Sequence, residues 1–312
     1  MTIATITLNP AIDQTVTLDE LRRGHVHRAA SVRFNAGGKG VNVASCLADW
    51  GLPVAAAGLL GRDNAGSFEA LFRAKGIEDR FIRVDGATRT NIKLVDETET
   101  TDINLPGFSA TAEALGRAAD EAVALAARCD LAVLAGSLPP GAPPDHYADL
   151  LARLQPTGKP VILDASGAPL AAALAGPLKP HAIKPNIAEL AEWAGEPCRG
   201  IADVARVARK LQASGIALVV VSMGAEGALF CAADGLLSAR LPAVSGGSTV
   251  GAGDAMVAGI AAALAAGADL ERTARLASAF AVGKLGLPGP NLPGRDIIEK
   301  LAAQAGIDTP SW

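Results

Sequence analysis

The chain alternates short apolar runs, many of them rich in β-branched residues, with longer runs rich in alanine and leucine through most of its length. The short runs are typical of buried strands and the longer runs of helices. This alternation favours an α/β fold, with a mostly parallel sheet covered by helices on both faces. The predicted strands are Ile3–Leu8, Val54–Leu59, Leu131–Ala135, Val161–Asp164, Ala182–Lys184, Leu218–Ser222 and Ala228–Cys231. The predicted helices include Val41–Asp49, Ala65–Ala74, Ala112–Ala127, Asp203–Ala213 and Asp254–Ala265.

Two segments, Thr15–Phe34 and Thr88–Phe108, break this order because polar and apolar residues alternate in them without a long helix. We interpret them as a small second sheet, with strands from about 13–34 and 88–108. Ligands of open α/β sheets bind beyond the carboxyl ends of the strands, so a sheet placed there would act as a lid. A chain of 312 residues with 50% hydrophobic content suits one large domain, expected to span 1–312 with this lid.

Composition and terminal sequence argue against several classes of function. The net charge is −4 without a basic tract, so nucleic acid is not an expected partner. The N-terminus lacks the features of a signal peptide, and no apolar run has the length of a membrane span. We therefore expect a cytoplasmic protein with no membrane partner. The cysteines and histidines are too scattered to predict a metal site or a disulfide framework.

The most informative motif is Ser248-Thr249-Val250-Gly251-Ala252-Gly253-Asp254, which precedes a long apolar run. It predicts a turn that opens a helix, where backbone amides without intrahelical partners form an anion site. The two glycines let the backbone approach a phosphate closely, and the aspartate can accept a proton beside it. Phosphoryl transfer to an alcohol requires such an arrangement. The same residues also suit an ordinary turn with a stabilising carboxylate at a helix N-terminus.

A second glycine-rich stretch, Asn35–Ala44, places glycines around Lys39 before a helix. The glycines would let a sugar press against the backbone, Asn42 can bond hydroxyl groups, and Lys39 can meet a phosphate. Asp13 follows the first strand, where a carboxylate suits sugar hydroxyls. Arg89 lies on the proposed lid, where a guanidinium could bind a phosphate. Each of these residues also has an ordinary interpretation as part of a turn or as a solvated side chain.

Three further turns follow predicted strands, where they could converge. Gly136–Gly141 is a rigid turn at one strand end. Asn186 and Glu189 stand three residues apart at a helix start, which suits organisation of Mg²⁺ through water and also a helix capping box. Ser222–Gly227 resembles a tight turn that could contact nucleotide phosphates or ribose. The functional interpretation depends on the joint occurrence of these turns.

Neither a Walker A sequence nor a Gly-x-Gly-x-x-Gly stretch after the first strand is present. The two glycine-rich motifs, together with Thr7–Ala11, Arg89–Leu94 and Gly136–Gly141, resemble those of the ribokinase-like (PfkB) carbohydrate kinases over essentially the whole chain. The resemblance implies a three-layer αβα sandwich with a mostly parallel central sheet and a small β-sheet lid. It also implies ATP with Mg²⁺, and a homodimer formed through the lid sheets, which would cover their exposed edges.

The resemblance implies roles for individual residues as well. Asp254 matches the base that takes the proton from the acceptor hydroxyl, and Gly251, Ala252 and Gly253 match the amide cradle for the transferred phosphoryl group. Glu189 and Asn186 match the pair that organises the metal through water. The nucleotide side is matched by Lys184, Asn186, Ser222, Gly224 and Gly227, and the sugar-phosphate side by Asp13, Gly37, Gly38, Lys39, Asn42, Arg89 and Ser137.

Within the family, the motifs are most similar to those of members that phosphorylate fructose 1-phosphate at O6, giving fructose 1,6-bisphosphate. Serine at position 248, where many members have aspartate, supports that subgroup. Lys39 and Arg89 would then hold the existing phosphate of this ketohexose. Tagatose 6-phosphate and fructose 6-phosphate stay open as acceptors, because the two ends of a furanose are nearly equivalent in shape. A catalytically silent sugar-phosphate or nucleotide sensor is the alternative of another class.

Overall fold

The computed structural model describes residues 1–96, 99–242 and 250–310. The strands are β1 Ile3–Thr7, β2 Ala11–Thr17, β3 Ser31–Gly37, β4 Val54–Gly61, β5 Glu78–Val84, β6 Arg89–Val95, β7 Thr100–Asn104, β8 Leu131–Ala135, β9 Val161–Asp164, β10 Ala182–Ile183, β11 Leu218–Ser222, β12 Ala228–Ala232, β13 Gly235–Arg240 and β14 Gly306–Asp308. The helices are α1 Lys39–Asp49, α2 Gly66–Lys75, α3 Ala112–Arg128, α4 His146–Leu154, α5 Gly167–Ala175, α6 Ile187–Ala194, α7 Ile201–Ala213, α8 Ala252–Ala265, α9 Leu270–Leu285 and α10 Arg295–Gln304.

The main sheet has ten strands in the order β14-β13-β12-β11-β10-β9-β8-β1-β4-β5. The strands from β11 to β5 in this order are parallel, and β12, β13 and β14 add antiparallel pairs at one edge. The mostly parallel sheet predicted from the alternation of strands and helices is therefore confirmed. Each predicted strand is present, with small shifts at its ends.

Helices cover both faces of this sheet and produce three layers. One buried cluster joins a face of the sheet to α1, α2, α8, α9 and α10, and a second joins the other face to α3, α4, α5, α6 and α7. In β11, Leu218 and Val220 belong to the first cluster, whereas Val219 and Val221 belong to the second. A strand whose successive side chains enter two cores has to be apolar throughout, which is why the central strands are continuous apolar runs.

The small sheet has the order β3-β2-β6-β7, and we call it the lid. Its middle strands β2 and β6 are parallel, while β3 and β7 pair antiparallel on the outside. Only Leu8–Pro10 separate β1 from β2, so the lid is attached directly to the carboxyl end of a central strand. The predicted small second sheet is therefore confirmed.

Among the helices of the described ranges, none combines the length and the apolar character needed to cross a membrane.

Candidate active site

Polar side chains that follow the central strands meet at the carboxyl edge of the main sheet. Asp164 ends β9 and is 1% exposed. Its Oδ1 atom lies 3.3 Å from Lys39 Nζ and 3.6 Å from Lys184 Nζ. Its Oδ2 atom is buried and has no hydrogen-bond partner in the part of the chain that the structure describes. The two ammonium groups therefore share this one carboxylate at the edge of the sheet.

Sequence reasoning ended a predicted strand at Asp164 but gave this residue no role. The sequence feature that could have identified it is a carboxylate at the end of a fully apolar strand. Such a carboxylate is costly to bury unless a cation pairs with it. The identity of the cation could not be read from the sequence, since Lys39 lies 125 residues away along the chain.

The predicted phosphoryl cradle opens helix α8. Gly251 is the N-cap, with φ +81°, a conformation that favours glycine, and the helix begins at Ala252. The amides of the first turn therefore have no intrahelical acceptor and are available to an anion. A Cβ atom at Gly253 would lie 3.5 Å from Lys184 Nζ, so the cradle borders the cluster around Asp164. Residues 248 and 249 of the motif lie outside the described residues.

Asp254, the predicted base, lies in the first turn of α8. Asn42 Nδ2 donates a hydrogen bond to Asp254 Oδ2 at 2.7 Å. Burial and the nearby Asp164 carboxylate raise the pKa of Asp254 to about 6, although the bond from Asn42 opposes the shift. A carboxyl group with this pKa is ionised at neutral pH and accepts a proton more readily than an ordinary aspartate.

Lys39 begins α1, contacts Asp164, and has a side chain that is 34% exposed. Burial lowers the pKa of its ammonium group, but Asp164, Asp254 and Glu189 together raise that pKa above its ordinary value. Lys39 is therefore a permanently charged residue of the site centre.

Arg89 and Ser137 lie around the loop that joins β1 to the lid. Arg89 Nε and Nη2 donate to the carbonyl oxygens of Pro10 and Asn9 at 3.4 and 3.3 Å, and Asn9 Nδ2 donates to Ser137 Oγ at 3.0 Å. Burial lowers the pKa of Arg89. A cavity of about 410 Å³ lined in part by Asn9, Arg89 and Leu138 opens here. Arg89 and Ser137 thus both contact Asn9, while Lys39 contacts Asp164.

Asp13 lies on lid strand β2 and is held by two neighbours that sequence reasoning did not assign. Its Oδ1 atom accepts hydrogen bonds from Lys93 Nζ at 3.1 Å and from Asn91 Nδ2 at 3.3 Å. The spacing of Asn91 and Lys93 in β6 could have indicated this, because positions 91 and 93 share one face of a strand. A Cβ atom at Gly37 would lie 2.7 Å from Asp13 Oδ2. Gly38 has φ +102°, and a Cβ atom there would lie 2.8 Å from the backbone of the loop before β2. Gly37 therefore permits the close packing of Asp13 within the lid, and Gly38 permits the close approach of the loop that joins β1 to the lid.

A cavity of about 240 Å³ lies between the lid and the start of α8. Its walls include Asp13, Asn42, Gly251 and Lys284, with the segment 287–290 on one side. Two of the predicted sugar-side residues, Asp13 and Asn42, therefore border the same cavity as Gly251 of the cradle.

On the nucleotide side, Asn186 and Glu189 form the capping box considered from the sequence. Asn186 Oδ1 accepts from the Glu189 amide, and Glu189 Oε2 accepts from the Asn186 amide, both at 2.9 Å. Ser222 ends β11 and bridges to Asn186. Gly224 and Gly227 follow in the turn before β12, both with positive φ. These residues lie after neighbouring strands β10 and β11, as predicted, and Lys184 joins them to Asp164.

The fold and the site together define a kinase of small hydroxylated substrates, and comparison with known proteins specifies its class. Residues 6–295 match the pfkB family of carbohydrate kinases, and the chain belongs to that family. A 1-phosphofructokinase of Xanthomonas campestris pv. campestris is 56% identical over 286 residues, which cover 90% of each protein.

Solved structures share the architecture over the full length. A possible 1-phosphofructokinase from Thermotoga maritima has a TM-score of 0.91 at 26% identity, with 100% of both chains covered. The phosphofructokinase-2 from Escherichia coli in complex with fructose-6-phosphate has a TM-score of 0.87 at 27% identity, with 96% of this chain and 98% of that chain covered. The ribokinase-like fold predicted from the motifs is therefore confirmed.

Proposed function

We propose that this kinase transfers the γ-phosphoryl group of ATP to O6 of fructose 1-phosphate. The observation that carries the proposal is Asp254, a carboxylate with a pKa of about 6 in the first turn of α8, beside free helix amides. A base next to an anion site is what the attack of an alcohol on a phosphoryl group requires. The name of the Xanthomonas relative at 56% identity supports this choice of acceptor.

In the proposed reaction, Asp254 takes the proton of the acceptor hydroxyl as the new O–P bond forms and the bond to the ADP oxygen breaks. Asn42 holds the carboxylate in place through its 2.7 Å hydrogen bond. The amides of Gly251, Ala252 and Gly253 stabilise the charge on the equatorial oxygens of the transferred group. Lys184, which borders the cradle, supplies positive charge on the nucleotide side.

The residues at the carboxyl edge fit an Mg²⁺ ion that accompanies ATP. In the described ranges, no cluster of three His, Cys, Asp or Glu could ligate a metal directly. Mg²⁺ in phosphate-transferring sites keeps several waters and needs few protein ligands. The unpaired Asp164 Oδ2, with Glu189 and Asn186, would hold the ion through those waters. Such an ion offsets negative charge on the phosphoryl oxygens.

On the acceptor side, we assign the sugar hydroxyls to Asp13 and the existing phosphate to Arg89, Ser137 and Lys39. Asp13 borders the cavity that reaches the cradle, and Gly37 lies against its carboxylate. Since Lys39 also pairs with Asp164, its ammonium group would link the sugar-phosphate side to the nucleotide side.

We further propose that two copies of the chain pair through their lids. Phe34 is 62% exposed and Val32 is 45% exposed on β3, an edge strand of the lid. Exposed apolar edge strands in native proteins are normally covered or paired.

The test of the proposed function compares kcat/KM for fructose 1-phosphate, fructose 6-phosphate and tagatose 6-phosphate, each with Mg²⁺ and ATP. We expect a preference for fructose 1-phosphate of about tenfold or more, equivalent to about 1.4 kcal/mol in transition-state binding. A preference for fructose 6-phosphate is the second candidate, favoured by the fold shared with the Escherichia coli complex. Absence of turnover with all three, in a protein that binds them, would favour the sensor alternative.

A further inference from the structure

Lys284 is a buried charged residue to which the proposed function gives no role. It lies in the last turn of α9 and is 4% exposed. Within residues 1–96, 99–242 and 250–310, its ammonium group has one hydrogen-bond acceptor, the Leu287 carbonyl oxygen at 2.8 Å, and no hydrogen bond to a carboxylate. An ammonium group has three donors, so one carbonyl leaves most of its hydrogen-bonding capacity unused. Burying a cation with so little compensation is costly.

The side chain of Lys284 packs against the phosphoryl cradle. A Cβ atom at Gly251 would lie 3.4 Å from Lys284 Cε, and both residues line the cavity between lid and α8. Burial lowers the pKa of Lys284, while the charge of Asp254 opposes that shift. A lysine near a helix C-terminus often bonds a carbonyl oxygen. That structural role accounts for the contact with Leu287, but it does not account for the packing against the N-cap of a different helix.

We propose that Lys284 is a further substrate-binding residue, which donates from its ammonium group to the γ-phosphoryl oxygens held by the amides at positions 251–253. The inference rests on the proposed kinase function. The incoming anion would satisfy the donors that Leu287 leaves free and would compensate the buried charge. It would do so beside Gly251, whereas Lys184 borders Gly253.

The test measures nucleotide affinity by calorimetry with Mg²⁺, using ADP and the non-hydrolysable ATP analogue AMP-PNP. A charge-assisted bond to the γ-phosphoryl group predicts that Lys284→Met weakens AMP-PNP about tenfold to a hundredfold and ADP by less than about threefold. The kcat for phosphoryl transfer should fall by a similar factor with little change in the sugar-phosphate KM. Equal weakening of both nucleotides, or of neither, would overturn the role of Lys284.

Lys75→Met is the matched control because Lys75 holds the same segment 287–291, through Pro290 and Asn291 where Lys284 bonds Leu287. Lys75 Nζ donates to Asn291 Oδ1 at 2.7 Å and to the Pro290 carbonyl oxygen at 3.4 Å, and it pairs with Asp49. If Lys284 only fixed this segment, the two variants would change nucleotide affinity alike. We expect Lys75→Met to leave the ratio of AMP-PNP to ADP affinity unchanged.

Chemical rescue provides a readout that does not depend on the fold of a single variant. In Lys284→Ala, added methylammonium should restore part of kcat in a saturable manner, whereas tetramethylammonium, which has no N–H donor, should not. Circular dichroism of Lys284→Met and Lys284→Ala verifies that both variants are folded. If methylammonium fails to restore kcat and the ratio of AMP-PNP to ADP affinity is unchanged in Lys284→Met, the inference is overturned and the kinase proposal stays intact. A wild-type protein that binds neither nucleotide overturns both.

Discussion

The most reactive residue of the site, Asp254, makes activity depend on pH. Because its pKa is about 6 and the base must be ionised, kcat/KM should decline about tenfold per unit below pH 6 and level off above it. Asp254→Asn should lower kcat by about 10²–10⁴. A pH–rate series between 4.5 and 8 checks both expectations. A folded Asp254→Asn variant with normal turnover would remove Asp254 from the role of base.

The same raised pKa has a consequence for stability. The folded state holds the Asp254 proton up to about pH 6 and the unfolded chain releases it near its ordinary value of 3.8, so stability falls as pH rises through that window. At pH 7, Asp254→Asn should therefore be more stable than wild type by roughly 1–3 kcal/mol. Urea unfolding at pH 4 and pH 7 measures this difference, which should nearly vanish at pH 4.

Asp164 should matter for stability as well as for charge. Removing it leaves the buried Lys184 ammonium without its carboxylate, and loss of one partner of a buried pair costs about 3 kcal/mol or more. We expect that loss in urea unfolding of Asp164→Ala. Glu196→Ala, which breaks an exposed pair with Arg206, is the control and should change stability by about 1 kcal/mol or less. A similar small change in Asp164→Ala would show that the pair is not structural.

At the scale of elements, the capping box of α6 allows its structural and chemical roles to be separated. Glu189→Gln keeps an oxygen that can accept the Asn186 amide hydrogen bond but removes the charge. It should leave thermal stability nearly unchanged and raise the Mg²⁺ concentration needed for half-maximal activity. Asn186→Ala should lower stability by about 1 kcal/mol, the usual effect of losing an N-cap. An unchanged Mg²⁺ requirement in Glu189→Gln would restrict Glu189 to capping.

Two glycines in the turn between β11 and β12 provide a second comparison. A Cβ atom at Gly227 would lie 2.1 Å from the Ala239 carbonyl oxygen, whereas nothing lies within 4 Å of one at Gly224. Both residues have positive φ, so alanine costs about 1–3 kcal/mol of backbone strain at either position. Thermal unfolding should show a clearly larger loss for Gly227→Ala. Equal losses would mean that the hairpin shifts to relieve the contact.

The elements also show where sequence reasoning succeeds. Central strands such as β11 are buried on both faces, so each of them is a continuous apolar run. Such runs predicted the positions of these strands and of the polar residues that follow them. Edge strand β5 carries Glu78, Asp79, Arg80 and Arg83 and has no such pattern, so it was not predicted. Asp254 and Asp13 lie in recognisable local motifs. By contrast, the importance of Asp164 and Lys284 depends on partners that are distant in sequence and become neighbours only after folding.

At the scale of the whole molecule, pairing through the lids predicts a dimer in solution. Phe34→Asp places a charge on the exposed edge strand and should shift the protein to a monomer in sedimentation velocity experiments. Ile297→Asp is the control, because Ile297 is 51% exposed on α10, which is not part of the lid. A wild-type protein that sediments as a monomer, or an Ile297 variant that dissociates like Phe34→Asp, would contradict the lid interface.

The parallel pair β2 and β6 brings together positions that are 78 residues apart in the chain. Alignment of β1, β4 and β5 in the main sheet carries the two lid segments to the same edge and shortens the loop that β2 and β6 have to close. During refolding, the main sheet and its helices should therefore assemble before the lid, and enzymatic competence should return later than the far-ultraviolet helical signal.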